Sequence, residues 1–158
     1  MNGWTLDYLA DHPAWVPVLA KWHHAEWGRI TRDWPLATAA AELAEHRGHN
    51  TIPTTIVALQ GGELLGSASL LAEDMPDQPP FTPWLASVYV IPARRGHGLG
   101  GALVRRIQDE ARRLGVGALY LFTTEAERYY AARGWRTVQA SAAGGVPGAI
   151  MSYDLTRE

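Results

Sequence analysis

Between Val88 and Val104 the chain reads VYVIPARRGHGLGGALV, and the chemistry this stretch supports is the holding of an anion. Gly96, Gly98, Gly100 and Gly101 crowd the point where a helical pattern begins. Successive backbone N–H groups at a helix N-terminus make a site for phosphate, and glycines leave that site unobstructed. Arg94 and Arg95, just upstream, add charge-assisted donors for the same anion. The run Gly96-His97-Gly98-Leu99-Gly100-Gly101 also satisfies G-x-G-x-x-G, which alone is a weak sign of a dinucleotide site. A dinucleotide fingerprint turns directly from strand to helix and places an acidic residue about 20 positions on at a strand end. Here Pro92-Ala93-Arg94-Arg95 intervenes and no such acid follows. A Walker-type loop needs Lys and Ser or Thr after its last glycine. Gly101 is followed instead by Ala102 and Leu103. The stretch therefore predicts a phosphate cradle of a different kind, set against the plainer reading of a glycine-rich helix entry that only permits tight packing.

A second group lies downstream, where Tyr120-Leu121-Phe122-Thr123-Thr124 leads into Tyr129-Tyr130-Ala131-Ala132-Arg133-Gly134-Trp135. In these two places the sequence resembles the GNAT superfamily of acetyl-CoA-dependent N-acetyltransferases. Their signature, Arg/Gln-x-x-Gly-x-Gly/Ala after a strand, is matched by Arg95-Gly96-His97-Gly98-Leu99-Gly100, and Val88-Tyr89-Val90-x-Pro92 fits the strand before it. The family's Tyr-x-x-x-Gly-Phe is similar to Tyr130-x-x-x-Gly134-Trp135. The resemblance covers roughly Thr54 to Trp135 and implies a mixed α/β fold: a mostly antiparallel central sheet flanked by helices, splayed at the cofactor-binding strand. It implies that Val88, Tyr89 and Val90 offer backbone groups to the pantetheine arm of acetyl-CoA. Gly96, His97, Gly98, Leu99, Gly100 and Gly101, flanked by Arg95, would hold its pyrophosphate. It also implies that Tyr130 gives its phenol proton, or a hydrogen bond, to the thiolate that leaves when an amine attacks the thioester; Tyr129 would face elsewhere. Where many members carry Asn seven residues before this tyrosine, this chain has Thr123, whose hydroxyl can still bond the pantetheine.

Such a reaction needs a proton acceptor, because a protonated amine cannot attack. Family members often place a glutamate on the strand before the glycine loop, but Trp84-Leu85-Ala86-Ser87-Val88-Tyr89-Val90 holds no carboxylate. Candidates remain in Trp22-His23-His24-Ala25-Glu26-Trp27, where His23, His24 and Glu26 sit on a helix that flanks the acceptor cleft in this fold. A histidine near its ordinary pKa of about 6.5 is a reasonable base at neutral pH. The plainer alternative is exposed histidines beside core tryptophans. Trp27, Trp34 and Trp84 would line the acceptor pocket or fill the core. The acidic loop Glu73-Asp74-Met75-Pro76-Asp77 would attract a cationic amine or simply be solvated. His-His-x-Glu lacks a metal site's spacing and third ligand, so no metal is expected. A fainter similarity, in Trp27 and in Leu121 to Thr124, to the subgroup containing the actin N-terminal acetyltransferase makes a peptide α-amine one candidate acceptor beside small-molecule amines. From other classes, the chain would be a non-catalytic acyl-CoA-binding or sensor module on the same fold, or a small nicotinamide-dependent oxidoreductase.

The elements that must position these groups follow from periodicity. Trp4 to Leu9 reads as a short strand. Pro13 to Gly28 reads as an amphipathic helix, and a second helix runs from just after Asp33, with Pro35 in its first turn, to about Arg47, capped by Gly48. Thr54 to Leu59 and Glu63 to Leu71 form a hairpin about Gly61-Gly62. Trp84 to Ile91 is a third strand. Leu99, Ala102, Leu103, Ile107, Ala111 and Leu114 mark one face of the next helix, and Arg105, Arg106, Asp109, Arg112 and Arg113 the other. Ala118 to Phe122 is a strand, Glu125 to Arg133 a short helix, and Trp135 to Gln139 and Ala149 to Leu155 close the fold around a glycine-rich loop. A chain of 158 residues reads as one domain, 1–158. A net charge of -2 gives no reason to expect a nucleic-acid or membrane partner. The absence of cysteine excludes disulfides, thiolate metal sites and cysteine nucleophiles. The N-terminus lacks the pattern of a signal peptide, so a cytoplasmic location is the default expectation, and the family resemblance adds the expectation of a homodimer.

Overall fold

The computed structural model describes residues 3–28, 34–74 and 81–156. Among these described residues seven strands form one sheet: β1 Thr5–Tyr8, β2 Thr54–Gln60, β3 Glu63–Leu71, β4 Trp84–Val90, β5 Ala118–Thr123, β6 Arg136–Ala143 and β7 Val146–Asp154. Among the described residues four α-helices accompany them: α1 Val16–Trp27, α2 Leu36–Ala44, α3 Leu99–Arg113 and α4 Glu127–Ala131. The spatial order is β1-β2-β3-β4-β5-β7-β6. Every pairing is antiparallel except that of β4 with β5, so the sheet is mixed and mostly antiparallel, as expected.

Alternation along the central strands gives the sheet two apolar faces. Ile56, Ala58 and Leu65 pack with Leu99, Leu103, Ile107 and Ala111 of α3. Val57 and Leu64 pack on the other face with Leu19 and Ala20 of α1 and Ala39 and Leu43 of α2. The helix α3 thus packs under β2, β3 and β4, with its N-terminus just past the end of β4.

Several boundaries differ from the sequence expectation. Pro13–Trp15 form a 3₁₀ turn before α1. The start expected for the second helix, just after Asp33, abuts residues outside the described ones. Pro35 is extended and precedes α2 instead of lying in its first turn. That helix ends at Ala44, and Gly48 is not its cap: its carbonyl accepts the Thr54 hydroxyl at 2.9 Å. The closing strands are longer than expected, because small residues pair up to the tip (Ser141 with Gly148, Ala143 with Val146) and leave only Gly144-Gly145 to turn. The Arg106 guanidinium lies over the Tyr8 ring and bonds Glu110, a carboxylate with no exposed surface.

Candidate active site

The site begins with a bulge in β4. Ser69 stands opposite Ala86 while Ser67 stands opposite Tyr89, so β4 uses one residue more than β3 over the same span. Ser87, at φ +54°, absorbs the extra residue. A bulge bends its strand and sharpens the local twist. The consequence appears on the other edge: β4 and β5 pair only at Trp84 and Tyr120. Beyond that contact the two strands separate, and β5 keeps its ladder with β7 alone. The edges of Ala86–Val90 and Leu121–Thr123 therefore face a cleft of about 880 Å³ instead of each other. Open strand edges of this kind accept an extended polar chain as an added strand.

At the far end of the gap lies the start of α3. Gly98 is left-handed, at φ +88° and ψ 0°, and its carbonyl accepts the Ala102 N–H at 3.1 Å. The N–H groups of Leu99, Gly100 and Gly101 belong to the first turn and have no intrahelical acceptor, which gives this end its partial positive charge. Leu99 is buried, so only its backbone can contribute, whereas Gly96, His97 and Gly98 are exposed. A side chain begun at Gly96 or Gly98 would meet nothing within 4 Å. One begun at Gly100 or Gly101 would touch the Tyr129 hydroxyl, at 3.9 and 3.8 Å, so Tyr129 faces this helix end. The two upstream arginines diverge. Arg94 bonds Gln60 of β2 at 2.6 Å and is committed to the scaffold. Arg95 lines the cleft, with Nε on the Val90 carbonyl at 2.8 Å, its guanidinium over Tyr89 and the Glu26 carboxylate 3.8 Å away.

Tyr130 reaches the cleft from α4, its ring edge-on to Trp135 and at right angles to Tyr129. Burial, with the neighbouring Tyr129, pushes its phenol up to about 12, so it stays protonated throughout the neutral range. Thr123 also lines the cleft, and its hydroxyl accepts the Ala126 N–H at 2.9 Å, shaping the entry to α4.

The acceptor side calls for two corrections. Trp84 does not line the cleft: it is fully buried, its indole N–H on the Phe81 carbonyl at 2.6 Å and its ring against Phe81 and Tyr120. It is the rivet at the apex where β4 and β5 meet. His23 lines the cleft but is a poor base. It is buried, bonds the Ser67 hydroxyl at 3.0 Å, and is pushed down to about 4 by burial and by the nearby His46. Glu26 and Trp27 do line the cleft, as do Trp34 and Glu42, which are joined by an indole-to-carboxylate bond of 2.6 Å. Glu73 and Asp74 line it too, while Met75, Pro76 and Asp77 of the same acidic loop lie outside the described residues. The only sequence signal for Asp74 was that acidic run. Among the described residues no group of three His, Asp or Glu could hold a metal ion, and no helix is long and apolar enough to cross a membrane.

Comparison with known proteins places this geometry. A family model described as acetyltransferase (GNAT) family matches residues 16–135, extending upstream of the stretch that carried the motifs. Among solved structures, yncA from Salmonella typhimurium, with its cofactor acetyl-CoA, aligns at TM-score 0.73 and 21% identity over 98% of this chain and 95% of its own. An aminoglycoside 6'-N-acetyltransferase complexed with coenzyme A aligns at 0.74 and 15%, over 98% of both chains. N-acetylglutamate synthase from Neisseria gonorrhoeae, complexed with coenzyme A and N-acetyl-glutamate, aligns at 0.72 and 18%, over 97% of this chain and 36% of its own. No match was found among curated proteins. With the family model covering most of the chain and the splayed β4–β5 sheet as its structural counterpart, the chain belongs to the acetyltransferase (GNAT) family.

Proposed function

We infer that the protein transfers the acetyl group of acetyl-CoA to a primary amine, of a small molecule or of a peptide N-terminus, by direct attack with both substrates bound. The observation that carries this reading is the gap between β4 and β5, which joins the α3 N-terminus to the Tyr130 phenol. The residues present fit coenzyme A. Free N–H groups of Leu99, Gly100 and Gly101, with the open backbone of Gly96, His97 and Gly98, suit the pyrophosphate. The edge of Val88, Tyr89 and Val90, which has no strand partner on the β5 side and whose Val90 carbonyl is held by Arg95, suits the amides of the pantetheine arm, with Thr123 on the opposite wall. When bound, acetyl-CoA supplies an activated acyl group on a good thiolate leaving group. The chain orients the thioester along β4, excludes water with Trp27 and Tyr89, and presents the Tyr130 phenol to the departing sulfur. A phenol at about 12 stays protonated at neutral pH, ready to donate to a thiolate.

Calorimetric titration with coenzyme A, followed by thiol release from acetyl-CoA across a panel of amines and peptides, tests the reading. Tyr130→Phe is expected to lower turnover by about 100-fold or more while leaving acetyl-CoA affinity within a factor of a few. Equal turnover in variant and parent retires the acid role. β4 carries no carboxylate, which favours the second reading of a non-catalytic acyl-CoA sensor. Coenzyme A binding without amine-dependent thiol release would support that second reading.

A further inference from the structure

β4 carries no carboxylate, so a proton acceptor for the transfer has to come from another element. The anion end of the cleft lies beyond the C-terminus of β4, so an arm laid along β4 carries its acyl end back toward Ser87 and Ala86, near the apex at Trp84. The apex is also where β3 delivers its C-terminal segment. Leu71 pairs with Trp84, and the Thr82 hydroxyl holds the Ala72 carbonyl at 2.6 Å, fixing the segment that leads to Asp74 beside the start of β4. Asp74 lines the cleft there, and its carboxylate has no hydrogen bond or ion pair among the described residues.

We propose that Asp74 is the proton acceptor of the transfer reaction, taking the proton from the acceptor ammonium at the acyl end of the cleft. This rests on the acetyl-transfer reading above. Loss of one proton to Asp74 frees the nitrogen lone pair, which forms the N–C bond as the C–S bond breaks. The second nitrogen proton balances the one that Tyr130 gives to the sulfur, and Asp74 returns its own to water. The other groups facing this end do not compete. Glu42 is held by the Trp34 indole, Glu26 lies beside Arg95, and His23 is committed to Ser67. Glu125 and Tyr130 belong to the opposite wall, and Glu73 is the neighbour on the same segment. Although the Asp74 side chain is open to the cleft, the protein crowding it pushes the carboxyl up to about 6, a better base than an ordinary aspartate.

The test compares parent, Asp74→Asn, Asp74→Glu and Glu73→Gln with two probes: n-butylamine, an ammonium at neutral pH, and methoxyamine, already neutral there. Asp74→Asn is expected to lower kcat/KM for n-butylamine on the order of 100-fold, to remove its acid limb near pH 6, and to spare methoxyamine. Asp74→Glu restores much of the rate, Glu73→Gln keeps the acid limb, and coenzyme A binding by calorimetry is unchanged in all. NMR titration of the parent's side-chain carboxyls, with Asp74 assigned from the Asn variant, is expected to find it above the ordinary aspartate range. Equal loss for both amines, an intact acid limb in Asp74→Asn, or an ordinary Asp74 titration overturns the assignment. If the parent binds coenzyme A but releases no thiol with either probe, the acetyl-transfer reading fails first and the Asp74 assignment falls with it.

Discussion

The paired substitutions Gly98→Ala and Gly98→Glu separate the backbone role of the glycine loop from its ligand role. Gly98 sits at φ +88°, where an L-residue costs roughly 1–2 kcal/mol. Since nothing lies within 4 Å of the added Cβ, no steric clash is superimposed on that cost. Both variants are therefore expected to lose about 1–2 kcal/mol of stability, a fall in Tm of about 2–8 °C for a chain of this size. The helix dipole moves the Glu variant from the Ala variant by no more than about 1 kcal/mol. Coenzyme A binding should divide them sharply. A carboxylate about 5 Å from a pyrophosphate charge, at an effective dielectric of about 20, costs about 3 kcal/mol, or roughly 200-fold in Kd. The assay is calorimetry with coenzyme A at about 0.1 M and 1 M salt, over which the Debye length falls from about 10 to 3 Å and the gap between the variants should narrow. Adding Arg95→Ala to Gly98→Glu is expected to abolish measurable binding. Equal affinities in the Ala and Glu variants, or a difference that ignores salt, would refute the anion cradle.

Two further predictions concern the scaffold. Burial raises the Glu110 carboxyl, but hydrogen bonds from Arg106, Tyr8 and Asn50 and the Arg113 charge more than offset this and hold it below its ordinary value. Glu110→Gln is expected to cost roughly 3 kcal/mol in urea denaturation. In the parent, the stability from this carboxylate is present above its unfolded pKa and lost as pH falls through the lowered folded value, so the variant should show a flatter acid limb. His23 is held near 4, so between about pH 6.5 and 4 the unfolded chain takes up the proton first. Stability should fall by roughly 3 kcal/mol as pH drops across that window, and His23→Asn should remove the slope.

Local order was largely legible in the amino-acid sequence. The spacing of Leu99, Leu103, Ile107 and Ala111, the Gly61-Gly62 turn, and the glycines before α3 each act through the backbone of a few adjacent residues, where residue type decides conformation. The same locality made the family motifs readable, since Arg95 to Gly100 and Tyr130 to Gly134 each occupy one loop or one short helix. What escaped depends on register and on contacts between distant elements. The strand of Trp84 was recognised, but the parallel contact with Tyr120 that buries the side chain was not, so the sequence left Trp84 between a cleft residue and a core residue. His23 looked like a free base until the packing of α1 on β3 gave it Ser67 and removed its water. Glu110 read as nothing in particular, though Tyr8, some hundred residues away, helps to keep it ionised. Asp74 was one acid in a polar loop until antiparallel pairing of β3 with β4 brought it to the cleft wall. The sequence by itself determined that this chain makes a glycine-rich helix start and a tyrosine-bearing helix. The bulge at Ser87 and the single β4–β5 contact decided that the two face one gap, because strand separation belongs to the whole sheet and to no segment alone.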